Sequence, residues 1–535
     1  MATIPIYKLA LIIKNSSNDN EFLLVKQTRP PIFQDEEYDS FIDSDLWELP
    51  SAQLNPLEQE SLSQLLIQGS NSGINKLDLS KFDINSALNQ VLLQLGFENT
   101  VDGNWEFWKY VEEPEFGPGP PIHTVFLTGK LTLEDDKFQD LCKWKSIENC
   151  LDSLLEVKPL SDRVGPLMVV GLLNDPAESG RCKIPPTLLC QEYPPGIRLV
   201  PMGSRTAKPF RTTNLIVIEP DNVTDGHGDK DFAAYGDALI VDPGCRSQFH
   251  EELVEIVATL PRKLLVFVTH HHHDHVDGLS IIQKCNPDAI LLAHENTMKR
   301  IGKDDWSSGY TTVSGAEEIC IGGQRLNVIF APGHTDGHMA LLHASTHSLI
   351  VGDHCVGQGS ALLDVNSGGN MKDYFETTYK FLKLSPHALI PMHGRVNMWP
   401  KHLLCGYLKN RRSRESSILK AIESGSETLF DIVAKTYCDV NPSLWVPASW
   451  NVRLHVEYLA QQQKLPKDFP MQRFNKTCRL HFLLRWMWVY LRKGLLSKVQ
   501  KISKFLLFSA SAVAGIAMLY VVKPKLLFSR TIEWK

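Results

Sequence analysis

The eleven cysteines of this 535-residue chain form no C-x-x-C pair and follow no even spacing, which argues against a disulfide-stapled secreted scaffold. They read as reduced, mostly buried thiols of a cytosolic or organellar compartment, and secretion is not expected. No basic stretch precedes the first apolar run at residues 9–13, and Asp35, Glu36 and Glu37 follow it, so the run is expected to be a strand and not an address. There is no excess of positive charge either. With a formal net charge of -6, any nucleic-acid face must be a local patch. No internal repeat occurs, and no low-complexity tract beyond one histidine run. What is present, 43% hydrophobic and 22% charged residues, excludes a disordered, collagenous or wholly membrane-embedded chain. The length predicts about three domains.

Residues 1–190 alternate short apolar runs (9–13, 22–25, 125–127) with polar loops and a proline-rich loop at 113–121, an α+β texture. After the turn at Pro194-Pro195-Gly196 the texture becomes strand-loop-helix. Buried strands are expected at 239–241, 264–268, 326–330, 349–351 and 388–390, giving an α/β domain over 196–400. From residue 408 the pattern is helical. Ile418 with Ile422, Leu429 with Ile432 and Val433, and Val452 with Val456 and Leu459 mark three helices of a small unit, 401–466.

The most informative stretch is Thr269-His270-His271-His272-His273-Asp274-His275, which follows an apolar strand and contains H-x-H-x-D-H. Zinc takes imidazole and carboxylate ligands, so alternation across a tight turn can send His270 and His272 to one ion and Asp274 with His275 to another. Alone, the run could equally be a solvated histidine tract. Three further candidates, His334, Asp353 and His393, each follow a short apolar strand by a few residues, where loops converge at one sheet edge and adjacent glycines allow close approach. His271 and His273 are expected to point away, and His338, His354 and Cys355 to pack around the site.

This ordered set resembles the metallo-β-lactamase superfamily over roughly residues 205–398. The resemblance implies an αββα sandwich of two mixed sheets, with His270, His272 and His334 on a first zinc ion, Asp274, His275 and His393 on a second, and Asp353 between them. Asp242, in Val241-Asp242-Pro243-Gly244, matches the family's early aspartate and is expected either to support a ligand or to make an Asp-Pro-Gly turn. Two zinc ions per chain imply metal-assisted hydrolysis. Asp274 then either orients or deprotonates the nucleophile, or only ligates.

The flanks bear on the substrate. The helical unit resembles the winged-helix-like extension of the beta-lactamase-like protein 2 branch, which implies single-stranded RNA as substrate. Lys409, Arg411, Arg412 and Arg414 are expected either on its phosphates or at a solvated helix start. A thioesterase or glyoxalase II-like hydrolase of a small acyl substrate is the alternative, and a membrane-tethered non-catalytic scaffold a third reading. Trp47-Glu48-Leu49-Pro50-Ser51-Ala52 and the helix at 86–98 resemble a degenerate Nudix domain. In that family the helix reads R-E-U-x-E-E-x-G-U, whereas here Gln90, Leu93 and Gln94 replace the metal-holding glutamates, so this domain is expected to be silent.

The end of the chain, 480–535, is expected to carry an interfacial helix with Arg485, Trp486, Trp488 and Tyr490, then a C-terminal transmembrane anchor at 505–522. That run is uncharged and flanked by Lys498, Lys501, Lys504, Lys523 and Lys525. The catalytic part would then face the cytosol from an organelle outer membrane.

Overall fold

The computed structural model describes residues 4–57, 77–96, 104–131, 140–158, 160–173, 182–220, 232–357 and 359–492. Residues 1–411 form one compact unit and the chain from Arg412 onward a second. The division expected near residue 190 therefore falls inside the first unit.

The part of that unit from residue 191 to 390 is two sheets face to face. One has seven strands in the order Tyr310–Thr312, Ile290–Ala293, Leu264–Phe267, Ala238–Val241, Thr212–Ile218, Ile197–Gly203 and Gln191–Glu192. The other has six, Ala234–Gly236, Glu318–Ile321, Gln324–Phe330, Met339–His343, Ser348–Ile350 and Ala388–Ile390. Leu264–Phe267 is buried at every position because it pairs in parallel on both sides and is covered on both faces. Leu265 and Phe267 enter the core between the sheets, with Ile216, Ile218, Leu326 and Met339. Leu264 and Val266 enter a second core, beneath the helices His250–Thr259 and Leu279–Cys285. On the outer face of the second sheet lies Met371–Leu384, started by Asn370, whose side chain accepts from Lys372 and Asp373 N–H, and ended by Ser385 in the left-handed region. The five strands expected from apolar runs all form, within one or two residues.

The N-terminal part is an eight-stranded sheet in which Ile6–Asn15 pairs in parallel with Ile122–Leu131 over its whole length. One face carries the helix Ile84–Gln94, which buries Ala87, Leu88, Val91 and Leu92. Asn89, Gln90, Leu93 and Gln94 lie on that helix's exposed side. The opposite face packs Trp47, Phe126 and Met168 with Ala388 and Met398 beside the two-sheet part.

Among its described residues the second unit is helical throughout, with Leu429–Thr436, Trp445–Gln461, Met471–Thr477 and helical residues 480–492, and it contains no strand that could serve as a wing. The helix Pro400–Glu423 enters it from the first unit. Thr428 starts Leu429–Thr436 by accepting from the Asp431 N–H. No helix among the described residues is long and apolar enough to cross a membrane, and the expected span at 505–522 lies outside them.

Candidate metal centre

The seven candidate ligands lie in the loops and the short helix that follow the C-terminal ends of strands. His270 lies just past Leu264–Phe267, His334 past Gln324–Phe330, Asp353 past Ser348–Ile350 and His393 past Ala388–Ile390, while Asp274 and His275 sit on the short helix His273–Val276. Two glycines permit this convergence. Gly352 has φ +54°, and a Cβ there would strike the His338 ring, while a Cβ on Gly244 would strike the backbone of Asp274.

The first group is three nitrogens. His270 Nε2 lies 3.0 Å from His272 Nδ1, and His334 Nε2 is 3.2 Å from each. A tetrahedral zinc with bonds of about 2.0–2.1 Å would set its nitrogens about 3.3 Å apart, so the triangle is already close to closed around an ion. In the second group His393 Nε2 is 3.3 Å, and His275 Nε2 3.8 Å, from Asp274 Oδ2. Asp353 stands between them. Its Oδ1 is 3.5 Å from His275 Nε2 and 3.3 Å from His393 Nε2, and its Oδ2 is 3.9 Å from His334 Nε2.

The remaining nitrogen of each imidazole settles its tautomer. His275 Nδ1 donates to Asp242 at 2.8 Å, His272 Nε2 to Asp364 at 3.1 Å, His393 Nδ1 to the Thr212 carbonyl at 2.9 Å, and His334 Nδ1 to the Leu362 carbonyl. Thr269 Oγ1 gives its own proton to Asp242, so at 3.0 Å it accepts from His270 Nδ1. Five rings thus turn their remaining nitrogen toward one place. In the first group, where His270 and His334 are held neutral, such lone pairs repel one another unless a cation lies between them. Buried His275 Nε2 and Asp353 Oδ1 also lack a hydrogen-bond partner, so the donor set fits divalent metal.

Electrostatics distinguish the two groups. Burial, reinforced by the neighbouring His275 and His272, holds His270 well below the ordinary imidazole pKa. Burial likewise holds His334 down at about 4, so both are neutral near pH 7. On the other side burial opposes charge on His393, but Asp353 and Asp274 outweigh it and push it up to about 9. Burial would raise the Asp274 pKa, yet His275 and His393 keep it well below the usual carboxylate range.

Several roles become specific. Asp242 is the support of His275, and it also accepts from the Thr269 N–H at 2.7 Å, so its φ of +48° belongs to a built site and not to a simple turn. His338 braces the Asp353 loop, since its Nε2 accepts from the Asp353 N–H at 3.1 Å and its Nδ1 faces the Ala331 carbonyl. His354 packs against Tyr374. His273 is exposed, but His271 does not simply point away. It meets Ser367 Oγ at 3.0 Å and so ties the histidine turn to the loop that carries Asp364. Sequence reasoning missed Asp364, whose loop has no motif, and the carbonyls of Thr212 and Leu362, which have no side-chain signature.

The basic cluster is corrected. Arg411 is buried, donates to the Ala361 carbonyl and lies 4.7 Å from the Tyr374 ring. Arg414 donates to the Thr436 carbonyl and covers Tyr437, Arg412 meets Glu415 at 3.5 Å, and Lys409 lies over Phe33. Arg411 and Arg414 are thus spent on contacts within the fold, while Lys409 stays exposed and Arg412 half-buried.

Residues 234–393 match the family model described as Metallo-beta-lactamase superfamily. The chain is 26% identical to a Drosophila melanogaster protein named Beta-lactamase-like protein 2 homolog, over 37% of this chain and 69% of that one. It is 30% identical to a Hydroxyacylglutathione hydrolase of Gloeobacter violaceus, over 31% of this chain and 58% of the relative. A solved metallo-beta-lactamase family protein from Thermus thermophilus aligns with TM-score 0.40 and 17% identity, over 50% of this chain and 94% of that one.

Proposed function

Taking residues 234–393 as a metallo-β-lactamase domain, we propose that the protein is a di-zinc hydrolase that cleaves phosphodiesters of single-stranded RNA. The observation that carries the hydrolase reading is the clustering of His270, His272 and His334 on one side and Asp274, His275 and His393 on the other of Asp353, a carboxylate facing both groups. Two bound zinc ions would lower the pKa of a shared water and stabilise oxyanion charge. His270, His272 and His334 would hold one ion, Asp274, His275 and His393 the other, and Asp353 both.

The chain's own groups do the remaining work. Asp242, Asp364 and two carbonyls fix ring orientation before any substrate arrives. Asp274 keeps its negative charge because His275 and His393 hold its pKa down. Asp274 would ligate one ion and could orient a bound nucleophile by accepting its hydrogen bond. Between Ile197–Gly203 and Thr212–Ile218 the connecting loop carries exposed Arg205, Lys208 and Arg211, and its Thr206 Oγ1 is 3.4 Å from His393 Nε2. Arg205 is paired with Asp277 and Arg211 with Glu115 at 3.3 Å, so Lys208 is this loop's contribution of positive charge beside the ligand set, and it favours an anionic substrate.

A second reading, hydrolysis of an acyl-glutathione thioester, is favoured by the relative named Hydroxyacylglutathione hydrolase, and glutathione is anionic too. A side-by-side assay of the zinc-loaded full chain on single-stranded RNA and on an acyl-glutathione thioester tests both. Metal-dependent RNA cleavage is expected. Thioester turnover without RNA cleavage would transfer the assignment to the acyl substrate, and a single redox-active iron per chain would overturn the di-zinc hydrolase.

A further inference from the structure

Helical residues 480–492 have two apolar faces. One is spent inside the second unit. Phe482 is buried, Trp486 and Val489 pack against the same core, and Trp486 Nε1 donates to the Pro442 carbonyl at 2.7 Å. Arg485 borders this side, paired with Asp431 at 2.7 Å and lying over Phe430. Trp486 and Arg485, expected at a membrane interface, are therefore committed to the fold.

The other face has no partner among the described residues. Leu480, Leu483, Leu484, Met487, Trp488 and Leu491 are all exposed, Trp488 by 70% and Leu480 by 68%, and at about 100° per residue they form one continuous arc with Tyr490 on its edge. Isolated exposed apolar residues are ordinary, but a contiguous strip of this kind marks a surface that something covers. Charge says what. Residues 469–532 contain twelve lysines and arginines and no aspartate or glutamate, in a chain whose net charge is -6. An apolar strip with an exposed indole, followed at once by Lys493, Lys498, Lys501 and Lys504 and then by the uncharged run 505–522, matches the layered chemistry of a bilayer surface.

We propose that helical residues 480–492 lie on an anionic lipid surface, with the arc from Leu480 to Leu491 in the acyl boundary and Phe482, Trp486 and Val489 holding the helical unit above it. This docking is independent of the hydrolase assignment. Its geometry allows no rotation of the helix. Turning the strip away from lipid would strip the core of Phe482.

The test uses the full chain with vesicles of phosphatidylcholine and phosphatidylserine carrying brominated acyl chains, which quench indoles at the acyl boundary. Trp488→Phe is expected to remove a resolved part of the tryptophan quenching seen in the unsubstituted chain. Leu484→Glu with Leu491→Glu is expected to abolish that same part while residues 505–522 remain intact. Trp488 unquenched in such vesicles overturns the proposal. So does either of two competing results: dissociation of a dimer by the double glutamate variant in sedimentation, which assigns the strip to a second copy, or shielding of Trp488 by single-stranded RNA in place of vesicles.

Discussion

Asp353 is the residue on which both ligand groups depend, since its two oxygens face different groups and burial leaves Oδ1 without another partner. On the proposed di-zinc reading, Asp353→Ala is expected to lower the metal content of both positions, read by elemental analysis of the purified chain, whereas His271→Ala should retain both because its ring is turned to Ser367. Asp364 acts at one remove. Its carboxylate holds the His272 Nε2–H, so Asp364→Ala frees that ring to rotate and is expected to weaken metal retention by about 10–100-fold. Titration with a chelator measures this without recourse to activity, and unchanged retention would mean that His272 is held by packing alone. The clustering of the seven candidate ligands was legible because metals accept few residue types and strand ends cluster them. Asp364 was not, because an aspartate in Leu362-Leu363-Asp364-Val365 has the same neighbours whether it supports a histidine or faces water. Arg411 was misread for the converse reason: adjacent arginines on a helix look alike in sequence whether one of them turns inward onto Tyr374 or all face solvent.

At the scale of elements, the short strand Leu46–Glu48 ends in a buried carboxylate that no cation pairs. Glu48 Oε1 accepts from the Met168 N–H at 2.8 Å and from the Leu49 N–H, capping the turn that follows Gly165. Burial outweighs these hydrogen bonds and pushes its pKa up to about 7. The folded state therefore holds a proton that the unfolded state releases near pH 4.5. The sign follows directly. Stability contributed here is present below pH 4.5 and is lost as pH rises to about 7, to the extent of roughly 3 kcal/mol for an unscreened, fully buried group. Glu48→Gln, a neutral isostere, is expected to flatten the fall in denaturation midpoint between pH 5 and 7, and an unchanged slope would place the titration elsewhere. The sequence marked Trp47-Glu48-Leu49-Pro50 only by its likeness to a Nudix strand. What the sequence could not show is that Glu48 faces Gly165 and Met168, over a hundred residues away, because long-range pairing leaves no local periodicity. Strands such as Ala238–Val241, by contrast, announce themselves as uninterrupted apolar runs, since both of their faces are covered.

For the whole molecule, the question is whether the N-terminal sheet is an appendage or part of the metal-binding body. Arg163 answers it. This guanidinium is buried on the strand Arg163–Val164, donates to the carbonyls of Met398 and His387 and of Ser44 and to the Ser44 hydroxyl, and stacks 4.9 Å from the Trp399 ring. Arg395 adds a paired contact to Glu113 at 2.7 and 2.8 Å from the loop that follows His393. Both arginines join the N-terminal sheet to the segment just beyond the last ligand. Separating the two parts would leave a buried cation and several carbonyls without partners, so residues 1–411 should melt as one body. Arg163→Met keeps most of the volume but abandons those carbonyls, and it is expected to destabilise by about 3 kcal/mol. In a denaturant titration, the fluorescence change of the N-terminal core around Trp105 and the release of zinc should share one midpoint, and both should move together in Arg163→Met. Loss of N-terminal structure well before zinc release would show two independent domains and make the Arg163 contacts incidental to the metal centre.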